Sequence, residues 1–310
     1  MTARDPVPSR GEEPAPLLRV PEALAGARAD RTVALLLDVP VNAARRLIAA
    51  GRVRVRGRRV QKGDAVEAGD DVEIAGAGAW LVPGPDVVPR LFVDEHVIVV
   101  DKPAGMPCHP LVPGEGGTVV DALIAIFPEI ARASEDPREA GLVHRLDTGT
   151  SGCLALARDP ATWRALRAAF ADDLVDKRYL ALVHGAPARA TVLDAVAHDP
   201  ADPRRMRIDP GGRPARTEIV PLSATPDFAL VDVRAHGGRR HQVRVHLASR
   251  GHPLVGDVLY GAPAADDAPW HLLHASALAL PGGARALARP PPAFAAAAGA
   301  RGLGVPDGGI

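Results

Sequence analysis

The run Gly141-Leu142-Val143-His144-Arg145-Leu146-Asp147-Thr148-Gly149-Thr150-Ser151-Gly152 constrains this chain more than any other stretch. Glycines bound it and apolar runs flank it. One carboxylate, Asp147, sits in the turn, with Arg145 two residues earlier and small hydroxyl residues after it. Its plainest reading is a polar hairpin turn. A carboxylate held in such a turn can also face a cleft, and the rest of the chain must decide between the two.

That context is rich in short strands. Arg90 to Met106 holds two β-rich runs around the acidic turn Asp94-Glu95 and ends in Lys102-Pro103-Ala104-Gly105. Val119 to Phe127 is a helix candidate, and Cys153 to Ala157 reads as a buried strand. Asp159-Pro160 is a helix cap followed by proline at the first helical position. Trp163, Leu166 and Phe170 then mark one face of that helix, which core packing explains. Lys177 to Gly185 is a further strand. Without regular β–α alternation, these runs predict an α+β domain on a long mixed sheet rather than a doubly wound one.

A compact basic module precedes it. Arg31 to Leu37 and Val41 to Ala50 have helical character, and Gly51 is a stop signal. Arg52-Val53-Arg54-Val55 alternates at period two, a strand with one apolar and one arginine face that turns at Arg56-Gly57. Val66 to Ile74 closes the module. Lys plus Arg and Asp plus Glu balance at 37 each, but the distribution is uneven. Val41 to Gly63 carries eight basic residues and no acid; Val233 to Gly256 carries five Arg and four His, again with no acid. Such blocks are footprints for a polyanion. Only Lys62, Lys102 and Lys177 are lysines, against 34 arginines. A lysine kept in such a chain marks a place where the planar head of Arg does not substitute.

Aromatics make up 3% of the 310 residues, so the core must be built from Ala, Val and Leu. Cys108 and Cys153 are the only cysteines and form no Cys-x-x-Cys pair, which fits a reducing cytoplasm. No run of about 18 apolar residues marks a membrane span.

Four blocks, His144 to Gly152, Lys177 to Gly185, Gly238 to Leu247 and Gly251 to Gly261, resemble in order the RluA-type pseudouridine synthases, which isomerise uridine within RNA. With the opening hairpin, the resemblance spans about Arg90 to Ala275, and it implies a mixed, largely antiparallel sheet with flanking helices and a central cleft. The module from Leu17 to Gly76 resembles the S4-like RNA-binding domain. The expected layout is a disordered leader over 1–16, a small α/β RNA-binding domain over 17–76, a linker over 77–89, the catalytic domain over 90–294 and a flexible tail over 295–310. Two departures from the family pattern stand out: Arg240 replaces a usual Thr or Ser, and Pro281-Gly282-Gly283 replaces a His-Pro pair.

The resemblance implies three catalytic residues: Asp147 as nucleophile or base toward the ribose, Arg244 as its charge partner and Tyr179 against the base. It implies that Arg145 enters the space left by the extruded uridine. Arg239, Arg240 and His241 would contact backbone phosphate, and Arg45, Arg46, Arg52 and Arg54 would line the RNA face of the small domain. Large-subunit ribosomal RNA is the favoured substrate, with transfer RNA as the alternative. A cytoplasmic monomer without cofactor, metal or membrane attachment is expected. His241 with His246, and His271 with His274, suggest a metal only superficially, since no His-Glu-x-x-His or cysteine cluster completes a site. A non-catalytic RNA-binding or ribosome-assembly factor would have no need of Asp147. A hydrolase would want an oxyanion motif that the sequence lacks.

Overall fold

The computed structural model describes residues 17–37, 41–49, 51–74, 80–112 and 114–306. The expected leader over 1–16 lies outside them. The chain divides into two units. One is Met1–Val82 with Pro110–Gly116, and the other is Pro83–His109 with Gly117–Ile310.

The smaller unit contains β1 (Leu17–Arg19), β2 (Ala27–Arg28), α1 (Ala29–Leu36), α2 (Val41–Ala49), β3 (Val53–Val55), β4 (Arg58–Arg59), β5 (Ala65–Val66) and β6 (Asp71–Ile74). Its main sheet has the order β1-β6-β3-β4, all antiparallel, and β2 pairs with β5. In β3, Val53 and Val55 are buried while Arg54 is exposed, the alternation expected of an amphipathic strand. The β3–β4 turn needs two left-handed residues, and Arg56 (φ 51°) and Gly57 (φ 72°) supply them. One apolar cluster joins Val33 of α1, Leu47 of α2, the inward valines of β3, and Val72 and Ile74 of β6. Val112, from the 110–116 segment, completes it.

The larger unit is α+β. Its strands are β7 (Arg90–Val93), β8 (Val97–Lys102), β9 (Ser151–Ala157), β10 (Asp176–His184), β11 (Ala190–Val192), β12 (Val196–His198), β13 (Met206–Ile208), β14 (Arg216–Ala224), β15 (Phe228–His236), β16 (Leu273–Ala279) and β17 (Arg285–Leu287). The helices are α3 (Val119–Ile124), α4 (Pro160–Ala171), α5 (Gln242–Ser249) and α6 (Pro292–Gly299). A nine-stranded sheet runs β11-β14-β15-β10-β16-β9-β8-β7, with β17 on β16. Every pairing in it is antiparallel except β16 with β9. β12 and β13 form a separate hairpin.

Caps fall where sequence chemistry puts them. Thr118 and Asp121 form a capping box at α3, and Asp159 accepts from the N–H groups of Ala161 and Thr162 at α4. The α3 helix stops at Ile124, short of the expected Phe127.

Two expected boundaries need correction. Of the linker over 77–89, residues 77–79 lie outside the described ones. The part from Pro83 on belongs to the larger unit: Gly84 N–H donates to Asp121 O, Pro89 O accepts from Asp101 N–H, and Val88 is buried. A flexible tail from 295 is also wrong through Leu303. The α6 helix runs to Gly299, and Phe294, Ala298 and Leu303 are buried in one cluster with Leu180 and Leu182 of β10. In a core short of aromatics, an alanine-rich helix packs closely; composition alone misread it as loose. Residues 307–310 lie outside the described ones.

The single parallel pairing positions the site. Parallel strands enter a sheet from the same end. The segments preceding β9 and β16, residues 147–150 and 270–272, therefore lie side by side, with Ser151 opposite His274. β10 runs antiparallel beside β16, and its register shifts between Arg178 and Leu180, at Tyr179.

Candidate active site

The Asp147 turn has no regular secondary structure and is held from several sides. Its chain doubles back through Thr150 N–H to Asp147 O at 3.0 Å. Thr148 O accepts from Gly105 N–H at 2.8 Å and from Lys102 Nζ at 3.0 Å. Lys102 is fully buried, and its other hydrogens reach Pro103 O and Met106 O at 3.0 and 2.7 Å. An ammonium matches three carbonyls converging on a point, whereas a planar guanidinium does not. Burial pushes Lys102 down to about 8, with Cys108 and Asp147 pulling the other way. Cys108 Sγ bonds both Leu146 O and Leu146 N–H, at 3.3 and 3.4 Å. Upstream, His144 stacks on Phe170 with ring centres 4.5 Å apart and accepts Ala155 N–H at 3.0 Å. Burial, with Lys177 and Arg167 nearby, pushes His144 down to about 3, so it is a neutral acceptor.

Asp147 itself is about a quarter exposed, its side chain at 24%. Its Oδ2 accepts from Arg244 Nη1 at 2.9 Å. Arg244 Nε and Nη2 grip Asp257 Oδ2 and Oδ1 at 2.7 and 2.8 Å, a two-pronged pair buried on both sides. The guanidinium is thus aimed rather than merely nearby. Burial works against the Asp147 charge, but His241, Arg244, His271 and the Arg244 hydrogen bond outweigh it and hold the carboxyl below the usual range. His241 and His271 are both pushed down to about 4 by burial, so at neutral pH Arg244 is the standing cation among these three. Breaking a buried pair such as Arg244–Asp257 typically costs about 3–5 kcal/mol. Asp257 was not singled out from the sequence, though its Gly256-Asp257 block was.

Tyr179 packs half-buried against the cluster that contains Val233, Val243 and Leu247. Burial, then the charges of Asp147 and Cys153, pushes its phenol far up, so it carries its proton. Asp147 and Arg244, two of the three residues expected to do chemistry, meet although 97 residues separate them, and the charge of Asp147 is felt at the third, Tyr179.

The expected RNA contacts scatter more. Arg145 is exposed beside Glu139 at 3.5 Å, with Nη1 3.2 Å from His109 Nε2. Arg239 is half-buried and donates to Pro214 O; Arg240 is exposed and donates to Pro203 O and Arg204 O. His241 does not fit the expected phosphate contact. Its side chain is 10% exposed, and Nε2 lies 3.8 Å from Asp147 Oδ2. It sits just before α5, and the turn into that helix swings the ring inward, which a linear motif does not reveal. In the smaller unit, Arg45 donates to buried Asp30 at 2.7 Å, Arg52 is half-buried, and Arg54 is exposed with Nη1 on Gly57 O. The Arg46 side chain lies outside the described residues.

The histidines that invited a metal reading are committed elsewhere. His246 bridges Thr217 Oγ1 and Asp194 O, and His274 bridges Ser151 Oγ and Ala288 O. His271 Nε2 meets Thr150 Oγ1 at 2.9 Å. Among the described residues no group of three or more His, Cys, Asp or Glu side chains is arranged so that it could hold a metal ion, and no helix is long and apolar enough to cross a membrane.

Residues 96–249 match the family model described as RNA pseudouridylate synthase, and residues 28–72 match that of the S4 domain. A Mycobacterium bovis protein named as an uncharacterized RNA pseudouridine synthase is 35% identical over 250 residues, 78% of this chain and 81% of that protein. One of that same description from Chloroflexus aurantiacus is 43% identical over 162 residues, 52% of this chain and 51% of its own. The ribosomal large subunit pseudouridine synthase D of Nitrosomonas europaea is 40% identical over 177 residues, 57% of this chain and 50% of its own. The chain thus spans about half the length of these last two relatives. The solved structure of human RNA pseudouridylate synthase domain containing 1 aligns with TM-score 0.53 at 26% identity, over 67% of this chain and 86% of that one. Human domain containing 4 aligns with TM-score 0.56 at 24% identity, over 71% and 95%, and speaks for the fold alone.

Proposed function

This chain belongs to the family of RNA pseudouridine synthases, and from that premise we propose that it isomerises uridine to pseudouridine within structured RNA. The observation that carries the reading is the Asp147 carboxylate, kept ionised by Arg244 at 2.9 Å while Asp257 anchors Arg244 from behind. A protein that only binds RNA has no use for a charged carboxylate fixed that way.

The reaction breaks the bond from C1′ to N1 of uracil, turns the base, joins C5 to C1′ and releases the C5 proton. Asp147 serves as nucleophile toward the sugar or as base toward a ribose proton, and either role needs it ionised. Arg244 keeps it so, since a cation within about 4–6 Å lowers a carboxylate pKa by roughly 1–3 units. Tyr179 offers a protonated phenol and a ring face for the uracil. A uridine reaches these groups only by leaving its stack, at a few kcal/mol that pocket contacts offset. Arg145, exposed two residues before Asp147, fills the gap, and Arg239 and Arg240 meet backbone phosphate. The S4-domain match and the relatives named for the ribosomal large subunit favour ribosomal RNA as the substrate. Two buried free cysteines suit a reducing cytoplasm, where a monomeric enzyme would meet that RNA.

Asp147→Asn keeps the shape and removes the charge. It should abolish release of tritium from uridine labelled at C5 while RNA binding persists. Parent-level turnover in that variant would defeat the assignment. Mapping pseudouridines in RNA from cells lacking this protein identifies the target, and a full set of modifications would rule out the proposed role.

A further inference from the structure

His241 adopts a left-handed backbone, φ 53°, which residues other than Gly take rarely and where their surroundings enforce it. Its Nδ1 lies 2.8 Å from Tyr260 Oη, and that same oxygen accepts Met206 N–H at 2.8 Å. Tyr260 is itself immobilised. It is 6% exposed, with the guanidinium carbons of Arg244 and Arg205 at 5.0 and 5.5 Å from its ring centre. Because Oη accepts from Met206 and has no other acceptor among the described residues, its one proton goes to His241 Nδ1. A neutral imidazole that accepts on Nδ1 carries its hydrogen on Nε2. That Nε2 faces Asp147 Oδ2 at 3.8 Å, the oxygen already bonded to Arg244. Among the described residues nothing donates to Oδ1.

We propose that Tyr260 and His241 are positioning residues for the isomerisation: Tyr260 fixes His241 in the tautomer that turns N–H toward Asp147 Oδ2, and together with Arg244 this reserves Oδ1 for the ribose. The inference rests on the isomerase reading of Asp147 and extends it to two residues that touch no reacting atom. Asp147, Arg244, Asp257, Arg240, His271 and Tyr260 are the titratable and charged groups around His241. Burial keeps its ring neutral down to about 4 despite the two carboxylates.

The test compares the full chain with Tyr260→Phe and with His241→Asn, since asparagine tolerates left-handed backbone. Single-turnover rate at saturating RNA, RNA affinity and the pH–rate profile are measured for each. Nitrogen NMR of isotope-labelled histidine reports the His241 tautomer without any turnover. The parent protein should show His241 protonated on Nε2 alone, and Tyr260→Phe should mix the tautomers. Both variants should lose about tenfold in saturated rate, because the N–H dipole oriented toward Asp147 Oδ2 at 3.8 Å is lost, with affinity unchanged. The acid limb of Tyr260→Phe should move to higher pH, because the imidazole loses the donor that opposes its protonation. A proton on Nδ1 in the parent overturns the proposal. So does a defect carried wholly by affinity, with saturated rate and acid limb unmoved, which is the signature of a phosphate contact. Turnover by Asp147→Asn instead defeats the isomerase reading and this role with it, while the tautomer still stands or falls on the spectrum.

Discussion

His144 and His241, half-buried, and His271, buried, are all neutral imidazoles, pushed down to about 3, 4 and 4 by their removal from water. Each does a job that needs a lone pair or a single N–H: accepting Ala155 N–H, accepting the Tyr260 proton, and meeting Thr150 Oγ1. In the unfolded chain an imidazole titrates near about 6.5. As pH falls, the unfolded state therefore binds protons before the folded one. Stability is full above about 6.5 and is lost as pH drops toward the folded values of about 3 to 4. The urea midpoint, followed by tryptophan fluorescence, should fall steadily between pH 6.5 and 4. Trp163 is a suitable reporter because its Nε1 donates to Leu142 O within the same structure. A midpoint that is flat or rises over that window would contradict the assignment of these rings as neutral. At this scale the sequence was a good guide to residue types. Lys102 was suspected because lysine is rare here, and the reason emerges as three carbonyls converging on one ammonium. His241 departs from the expected phosphate contact although its motif neighbour Arg240 stays exposed.

The pairing of β9 with β16 is the element on which the site depends. Gly152 lies in that pairing opposite Ala275, at φ 106°, and a Cβ there would run into Ala275 O. The closing glycine of the Asp147 motif is thus needed for backbone approach rather than for chemistry. Gly152→Ala combines a strained left-handed backbone with overpacking, and should destabilise the larger unit by roughly 3 kcal/mol. Chemical denaturation measures this, and a change under about 1 kcal/mol would show that the strands can part without loss. The individual strands and the α4 cap were legible because alternation and capping are local. The partner of β9 was not, because β16 begins more than a hundred residues later. Its parallel orientation is also the exception in an otherwise antiparallel sheet, and no periodicity encodes it. The α5 helix was likewise unassigned from sequence: its cap residue His241 makes no side-chain cap bond. The work is done by Gln242, whose Nε2 donates to Arg216 O and His236 O at 2.8 and 2.9 Å and lies 3.1 Å from Thr217 Oγ1.

At the scale of the whole molecule, the chain joins a chemical unit to a basic one. The proposed role of the smaller unit is affinity through phosphate contacts, motivated by the arginine side of β3 and by α2. Neutralising Arg45, Arg46, Arg52 and Arg54 should weaken binding to all RNAs alike. Each phosphate contact removed should lower the slope of log affinity against log salt by roughly 0.7–0.9. Arg45 tests the idea hardest, because its Nε is bonded to buried Asp30. Part of its loss would then appear as instability of the unit and not in the salt slope. Single-turnover rate at saturating RNA should hold, and an unchanged salt slope with a large fall in that rate would assign the unit a positioning role instead. The sequence by itself determined the family resemblance and the two-unit plan, and it nominated Asp147, Tyr179 and Arg244 for the proposed chemistry, since each rests on short runs whose pattern is local. The tertiary structure alone decided that Asp257 aims Arg244, that His241 turns inward, and that the last helix belongs to the core. Those facts depend on groups far apart in sequence meeting with the right geometry, and burial then sets which of them are charged.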